Sequence, residues 1–385
     1  YQYASGSWTQ LGSDIDGEAA ADFSGEMVSL SDDGTILAIG GYHNDGNGSG
    51  AGHVRVYQYA SGSWTQLGSD IDGEAVGDYS GWSVSMSSDG TKVAIGATYN
   101  DGNGSDDVGH VRVYQYASGS WTKLGSDIDG EAADDYSAWS VSMSGDGTKV
   151  AIGATYNDGN GANSGHVRVY QYASGSWTQL GSDLDGEAAD DRSGKSVSLS
   201  NDGTILAIGA DYNDGNGTDA GHVRVYRYVS SNWSQIGSDL DGEAAGDRSG
   251  SGESVSLSND GTILAVGAFA NGGFAGHVRV YKNVSDVWTK ICTCGPDGGD
   301  INGEAASDNS GWSLSMSGDG TKVAIGAPDN DGSGLSAGHV RVYEAVDLTV
   351  TLSVANTTVA ESAGAVTVTA TLNNAAASCE VTVDL

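Results

Sequence analysis

Acidic residues recur in a fixed arrangement, Asp-x-Asp-Gly-Glu followed four residues later by another Asp. The first copies are Asp14, Asp16, Glu18 and Asp22, then Asp70, Asp72, Glu74 and Asp78. The set returns at Asp127, Asp129, Glu131 and Asp135, at Asp183, Asp185, Glu187 and Asp191, and at Asp239, Asp241, Glu243 and Asp247. In a last copy Asn302 stands between Asp300 and Glu304, with Asp308 following. A second kind of loop reads Asn-Asp-Gly-Asn-Gly from Asn44, Asn100, Asn157 and Asn213, and shrinks to Asn271-Gly-Gly273. Oxygen ligands at alternating positions, with a glycine to turn the chain, suit a hard cation such as calcium. The spacing is not that of an EF-hand, because the glycine comes fourth and no Glu stands twelfth. The same residues equally suit a solvated acidic surface in which Asp and Gly make the turns.

Histidine and arginine recur two residues apart: His53 and Arg55, His110 and Arg112, His166 and Arg168, His222 and Arg224, His277 and Arg279, His339 and Arg341. Spaced by two on a strand, each pair shares one face. A catalytic histidine is normally unique, so six copies point to a structural hydrogen bond or an ion pair with a loop carboxylate. Ser193-Gly-Lys-Ser196 resembles the end of a phosphate-binding loop, but Ala189 stands where the earlier glycine belongs and no helix follows. No single Ser, His and Asp set and no Cys/His metal spacing stands out.

The elements that carry these residues are set by repetition. Gly-His-Val-Arg-Val-Tyr begins at Gly52, Gly109, Gly165, Gly221, Gly276 and Gly338, at spacings of 57, 56, 56, 55 and 62 residues. Within one period, four strand-like runs follow from alternation and β-branched content: Trp82–Ser87, Thr91–Ala97, His110–Tyr116 and Trp121–Leu124. Asp89-Gly90 supplies the tight turn between the first two. Four antiparallel strands per period of about 56 residues, without helical patterning, predict an all-β fold, a β-propeller of six four-stranded blades, or seven if a further repeat precedes the sequence. Trp8, Trp64, Trp121, Trp177, Trp233 and Trp288 each open a fourth strand, where a ring can seal the gap between blades. The sequence starts with the tail of a third strand plus a fourth, which predicts that Trp8–Leu11 closes the blade of Gly338–Tyr343. The propeller is thus expected over residues 1–346. The strand order places both long loops of every blade on one rim.

Composition narrows the partners. The 385 residues hold 51 acidic against 16 basic side chains, a formal net charge of −35, so phosphate backbones and anionic membranes are repelled while cations are attracted. No run approaches the apolar length of a membrane span. With 61 glycines but no Gly-X-Y period, neither collagen nor plain disorder fits.

Ser80-Gly-Trp-Ser-Val, Ala94-Ile-Gly-Ala97 and Gly109-His-Val-Arg-Val-Tyr114 together resemble the FG-GAP repeat of integrin-α-type propellers, and Ala327-Pro328 restores that family's Gly-Ala-Pro. The resemblance spans residues 1–345. The family's calcium loop between first and second strands is replaced here by Ser88-Asp89-Gly90, so that site does not carry over.

From Asp347 the composition changes. Leu348–Val354, Val366–Leu372 and Glu380–Leu385 alternate as strands, and Val359–Gly364 with Val366–Thr369 is similar to the opening of a Calx-beta domain, an immunoglobulin-like sandwich. Residues 347–385 are expected as a partial sandwich, too short to bury both faces and completed by another segment or subunit, which would permit self-assembly into filaments. Cys292, Cys294 and Cys379 make an odd set. Sequons at Asn47, Asn103, Asn216, Asn232, Asn283 and Asn356 are glycan candidates in a secretory pathway.

The leading expectation is an extracellular or cell-surface, non-enzymatic propeller, an adhesive or structural module that meets a protein or glycan and is stabilised by calcium if the loops bind it. A carbohydrate-binding propeller using Tyr99, Tyr156 and Tyr212 is the alternative. A glycan hydrolase or lyase with a central active site is third, disfavoured by the equivalence of the blades.

Overall fold

A computed structural model describes residues 1–102, 106–291 and 299–344, and the backbone of Val350–Val354 and Val368–Leu372. It is a six-bladed β-propeller. The second blade shows the plan: Ser83–Met86 innermost, then Lys92–Ala97, His110–Ala117 and Ser120–Lys123, all antiparallel neighbours. A two-residue strand, Ile128–Asp129, then returns to pair with the start of the third, His110 opposite Asp129. The first turn works as its residues dictate. Asp89 accepts from Ser87 Oγ and from the Thr91 backbone N–H, and Gly90 takes φ +69°. The α-helical segment Asn271–Phe274 is a single turn whose Gly272 and Gly273 lie at positive φ.

Blades are joined by three repeated devices. Apolar third-strand residues pack on the first two strands of the following blade, as Val54 and Val56 do on Met86, Val93 and Ile95. The serines that alternate with them bond across the same junction: Ser85 Oγ accepts from Met143 N–H at 3.0 Å, and Ser83 Oγ donates to Ala138 O at 2.8 Å. The tryptophans of the fourth strands seal the outside, Trp121 Nε1–H donating to Leu67 O at 2.7 Å and Trp177 to Leu124 O at 2.7 Å. Near the axis the turns are linked in series, Ser88 N–H to Gly145 O, Gly145 to Asn201 O, Asn201 to Asn259 O and Asn259 to Gly318 O.

The expected closure is corrected by the strand pairing. Ser7–Thr9 pairs with its own neighbour, Gln2–Ala4, and the sixth sheet has three strands among the described residues, Ser313–Met316, Lys322–Ala327 and His339–Glu344. A hairpin closed by Ser5 and Gly6 forms locally, with Gln2 opposite Thr9 and Tyr3 opposite Trp8. The hairpin docks on the first blade as the outer part of a preceding one, Trp64 Nε1–H donating to Leu11 O at 2.9 Å. A seam results. Val340 and Val342 are 69% and 40% exposed, whereas their counterparts Val54 and Val56 are 0% and 1% exposed, and across the gap Val28 and Leu30 are also exposed.

In the tail, Val350–Val354 pairs with Val368–Leu372 in antiparallel register, Leu352 opposite Ala370. The third tail strand, the three cysteines, Asn103 and Asn356 lie outside the described residues.

Candidate functional site

Each inner strand starts at the face where the long loops gather, and the residue two places before its first apolar side chain circles the axis there. In blade order these are Glu26, Trp82, Trp139, Lys195, Glu253 and Trp312. The flanking residues are nearly constant, Gly before and Ser after in most blades, whereas these vary among Glu, Trp and Lys. Trp82 and Trp139 meet edge to face at 5.2 Å between centroids. Lys195 Nζ lies 3.9 Å from the centre of the Trp139 ring, a cation held on an aromatic face. Tyr42 O–H donates to Glu26 Oε2 at 2.9 Å and Tyr42 packs on Trp82.

A second tier of rings surrounds this mouth. Tyr79, Tyr99, Tyr136 and Tyr156 follow one another at 5.0 to 5.3 Å. The series then turns basic: Arg192 sits 4.1 Å and Arg248 4.7 Å from the centre of Tyr212. A hollow of about 370 Å³ opens between Tyr99, Tyr136, Trp139, Tyr156, Asp134 and Asn163. The mouth is therefore aromatic over blades two and three, cationic over blade four, and acidic where blades five and one face each other.

Three ionisable groups at the mouth, Lys195, Glu253 and Asp211, are displaced toward neutrality. Burial pushes the Lys195 ammonium down to about 8, against the attraction of Asp211 and with help from Arg192 and Arg248. Glu253 is an exposed residue, and partial desolvation raises its carboxyl to about 7, with Glu26 adding repulsion. Asp211 is fully buried and likewise raised by burial; its Oδ2 accepts from Ser251 Oγ at 2.8 Å while Oδ1 has no hydrogen-bond partner. A lysine near 8 and a carboxyl near 7 are groups able to give and take protons at neutral pH.

The repeated acidic residues are sorted by the fold into separate tasks. The last Asp of each set is buried and organises its loop: Asp78 accepts from Ala75 N–H at 3.0 Å and from Asn100 Nδ2 at 3.1 Å, and Asp22, Asp135, Asp191, Asp247 and Asp308 likewise accept the N–H of the Ala three residues before. The second residue lends its backbone carbonyl, Asp72 O and its counterparts accepting from the Arg of the next blade at 2.8 to 3.0 Å. The remaining two converge from different loops. Glu18, Glu74, Glu131, Glu187 and Glu243 meet Asp70, Asp127, Asp183, Asp239 and Asp300 over His53, His110, His166, His222 and His277, with one ligand atom from each residue lying within 4.8 Å of the others. These five groups could hold a metal ion. The glutamates also pair with the arginines, Arg112 with Glu74 at 3.1 Å, as the sequence implies. Of these histidines, His53, His166 and His222 stand 3.8 to 4.0 Å from the carboxylates, beyond hydrogen-bonding distance. Burial lowers them, to about 4 for His110, His166 and His222, so they are neutral at pH 7.

Of the sequons described, Asn47 and Asn216 donate through Nδ2 to the carbonyls of Gly73 and Gly242 in the adjoining loop. Sequence reasoning overlooked the mouth. Its signal was a single varying position inside near-constant repeats, together with the Ser251-Gly252 insertion and Lys195, which had been read only as a chance phosphate-loop match.

Two solved structures are similar to this chain. A candidate 6-phosphogluconolactonase from Bacteroides uniformis aligns at 12% identity over 83% of this chain and 80% of its own, with a TM-score of 0.54. The periplasmic gluconolactonase of Pseudomonas aeruginosa aligns at 15% identity over 83% and 88%, with a TM-score of 0.49. At 12% identity the likeness to the first is one of fold. Among curated proteins none matches. The expectation of a non-enzyme is corrected by the first of these: the fold is borne by a protein named for an enzymatic activity, and the blade equivalence that argued against a central site fails at the mouth. The Calx-beta-like stretch lies almost wholly outside the described residues and outside the family match. Residues 127–170 and 183–226 match the FG-GAP repeat, so this chain is a β-propeller that carries FG-GAP repeats.

Proposed function

We propose that the axial mouth binds a saccharide. The observation that carries this reading is the arc Trp82, Trp139 and Lys195, at the position that varies between blades, backed by Tyr99, Tyr136 and Tyr156 around an open hollow. Aromatic faces with polar and cationic groups at their edge suit a sugar ring, which has apolar C–H faces and a hydroxylated rim. The expectation of an extracellular, adhesive role fits such a ligand, a glycan of a cell surface or matrix. Titrating the full chain against neutral and acidic oligosaccharides tests it. Binding should weaken at least about tenfold in Trp139→Ala, the size expected for an anchoring ring. If no oligosaccharide binds, or if Trp82→Ala and Trp139→Ala both bind as tightly as the parent, the reading is wrong. Chemical turnover of the bound sugar is a second reading, favoured by the raised carboxyl of Glu253; product analysis with Glu253→Gln would then show retained binding and lost turnover.

A further inference from the structure

The loop junctions carry a different chemistry from the mouth. At the fourth blade, His222 is 1% exposed and its Nδ1 has no hydrogen-bond partner. That nitrogen points between two carboxylates from different loops, 3.9 Å from Glu187 Oε2 and 4.0 Å from Asp239 Oδ2. Each carboxylate is held by its other oxygen: Glu187 Oε1 faces Arg224 at 3.4 Å, and Asp239 Oδ1 accepts from Gln235 at 2.6 Å. Glu187 Oε2 receives only a long contact of 3.5 Å from Asn213. With both carboxylates fixed through their other oxygens, one nitrogen and two oxygens lie within 4.8 Å of one another. Leaving a buried nitrogen unpaired is costly, and a divalent ion with ligands at about 2.0–2.2 Å would draw three such atoms to about 3.5 Å apart.

We infer that the five junctions with this composition are divalent-cation sites, each built from the histidine of one blade, the glutamate of the loop entering it and the aspartate of the loop leaving it. Four further copies have the same composition, and His53 Nδ1 is unpartnered like His222 Nδ1. The imidazole ligand selects a first-row transition ion such as Zn²⁺ over calcium or magnesium, which take oxygen alone. Three protein ligands leave room for water. Because ligands come from two consecutive loops, the ion would tie each blade to both of its connections, and binding only the folded chain would stabilise it.

The test uses the full chain, stripped with chelator and titrated with Co²⁺. Saturable binding of about five equivalents with a visible ligand-field spectrum is expected, bleached by Zn²⁺ and unaffected by Ca²⁺, together with a raised melting temperature. His222→Gln should lose one equivalent. Should that buried substitution impair folding, Asp239→Asn, at a partly exposed carboxylate, should lose the same equivalent in a folded protein. Absence of saturable Co²⁺ binding, or an undiminished count in folded Asp239→Asn, would overturn the inference.

Discussion

The junctions and the mouth are built from the same repeats on the same face, and they obey opposite rules. At the junctions His, Arg, Glu and Asp return at the same places five times over, and the contacts they make return with them. At the mouth a position preceded by the same backbone carries Glu, Trp, Trp, Lys, Glu and Trp. Repetition is what a stacked architecture demands wherever one unit must fit the next. A residue facing the axis fits no neighbouring unit in this way and is free to differ. Identity between blades therefore marks what holds the ring, and difference marks what the ring presents.

Separating these two roles by substitution gives the largest effect at a junction. Ile95 is 1% exposed among Val54, Val56 and Met86. Ile95→Ala should cost about 3 to 4 kcal/mol by denaturant titration, while the folded fraction keeps its saccharide affinity; affinity lost in step with stability would erase the distinction. An intermediate effect is expected from pH. The buried histidines have folded values below their ordinary one, so the unfolded chain binds more protons between about 4 and 6.5, and stability, full above pH 6.5, falls as pH drops through that window. Thermal melts in chelator should show this slope, and His166→Gln should flatten it. Saccharide affinity should instead change between pH 7 and 8, where Glu253 and Lys195 titrate. The smallest effect belongs to Lys195→Met, which should lower the unfolding free energy by less than about 1 kcal/mol, since the cost of desolvating the ammonium offsets its attraction to Asp211 and to the Trp139 face, and still alter binding. A large destabilisation would make Lys195 a structural residue after all.

How far the sequence could be read follows the same division. The strands over Ser83–Met86, Lys92–Ala97, His110–Ala117 and Ser120–Lys123 lie within a residue or two of the predicted runs because alternation and turn chemistry are local. The Arg–Glu pairs were foreseeable because both partners recur at constant separation. The convergence of Glu187 and Asp239 on His222 was not, since it joins two loops about 50 residues apart that touch only after the blades stack. The tetrads of Asp and Glu looked like single ligand loops for the same reason: proximity in sequence hid the fact that adjacent carboxylates point to different neighbours. The end-to-end closure failed where a local hairpin, Gln2–Ala4 with Ser7–Thr9, competes with a pairing some 330 residues away.

The seam between the sixth and first blades has a consequence for how such a molecule can change over generations. Val340 and Val342 on one side, and Val28 and Leu30 on the other, are copies of surfaces that elsewhere meet each other. A duplicated repeat inserted at that point would find both of its faces already matched, by sequence, to the units beside it. Blade number in this architecture is thus open to growth by unequal copying, with no new interface to invent, while the mouth gains one more axial position on which a different side chain can be tried.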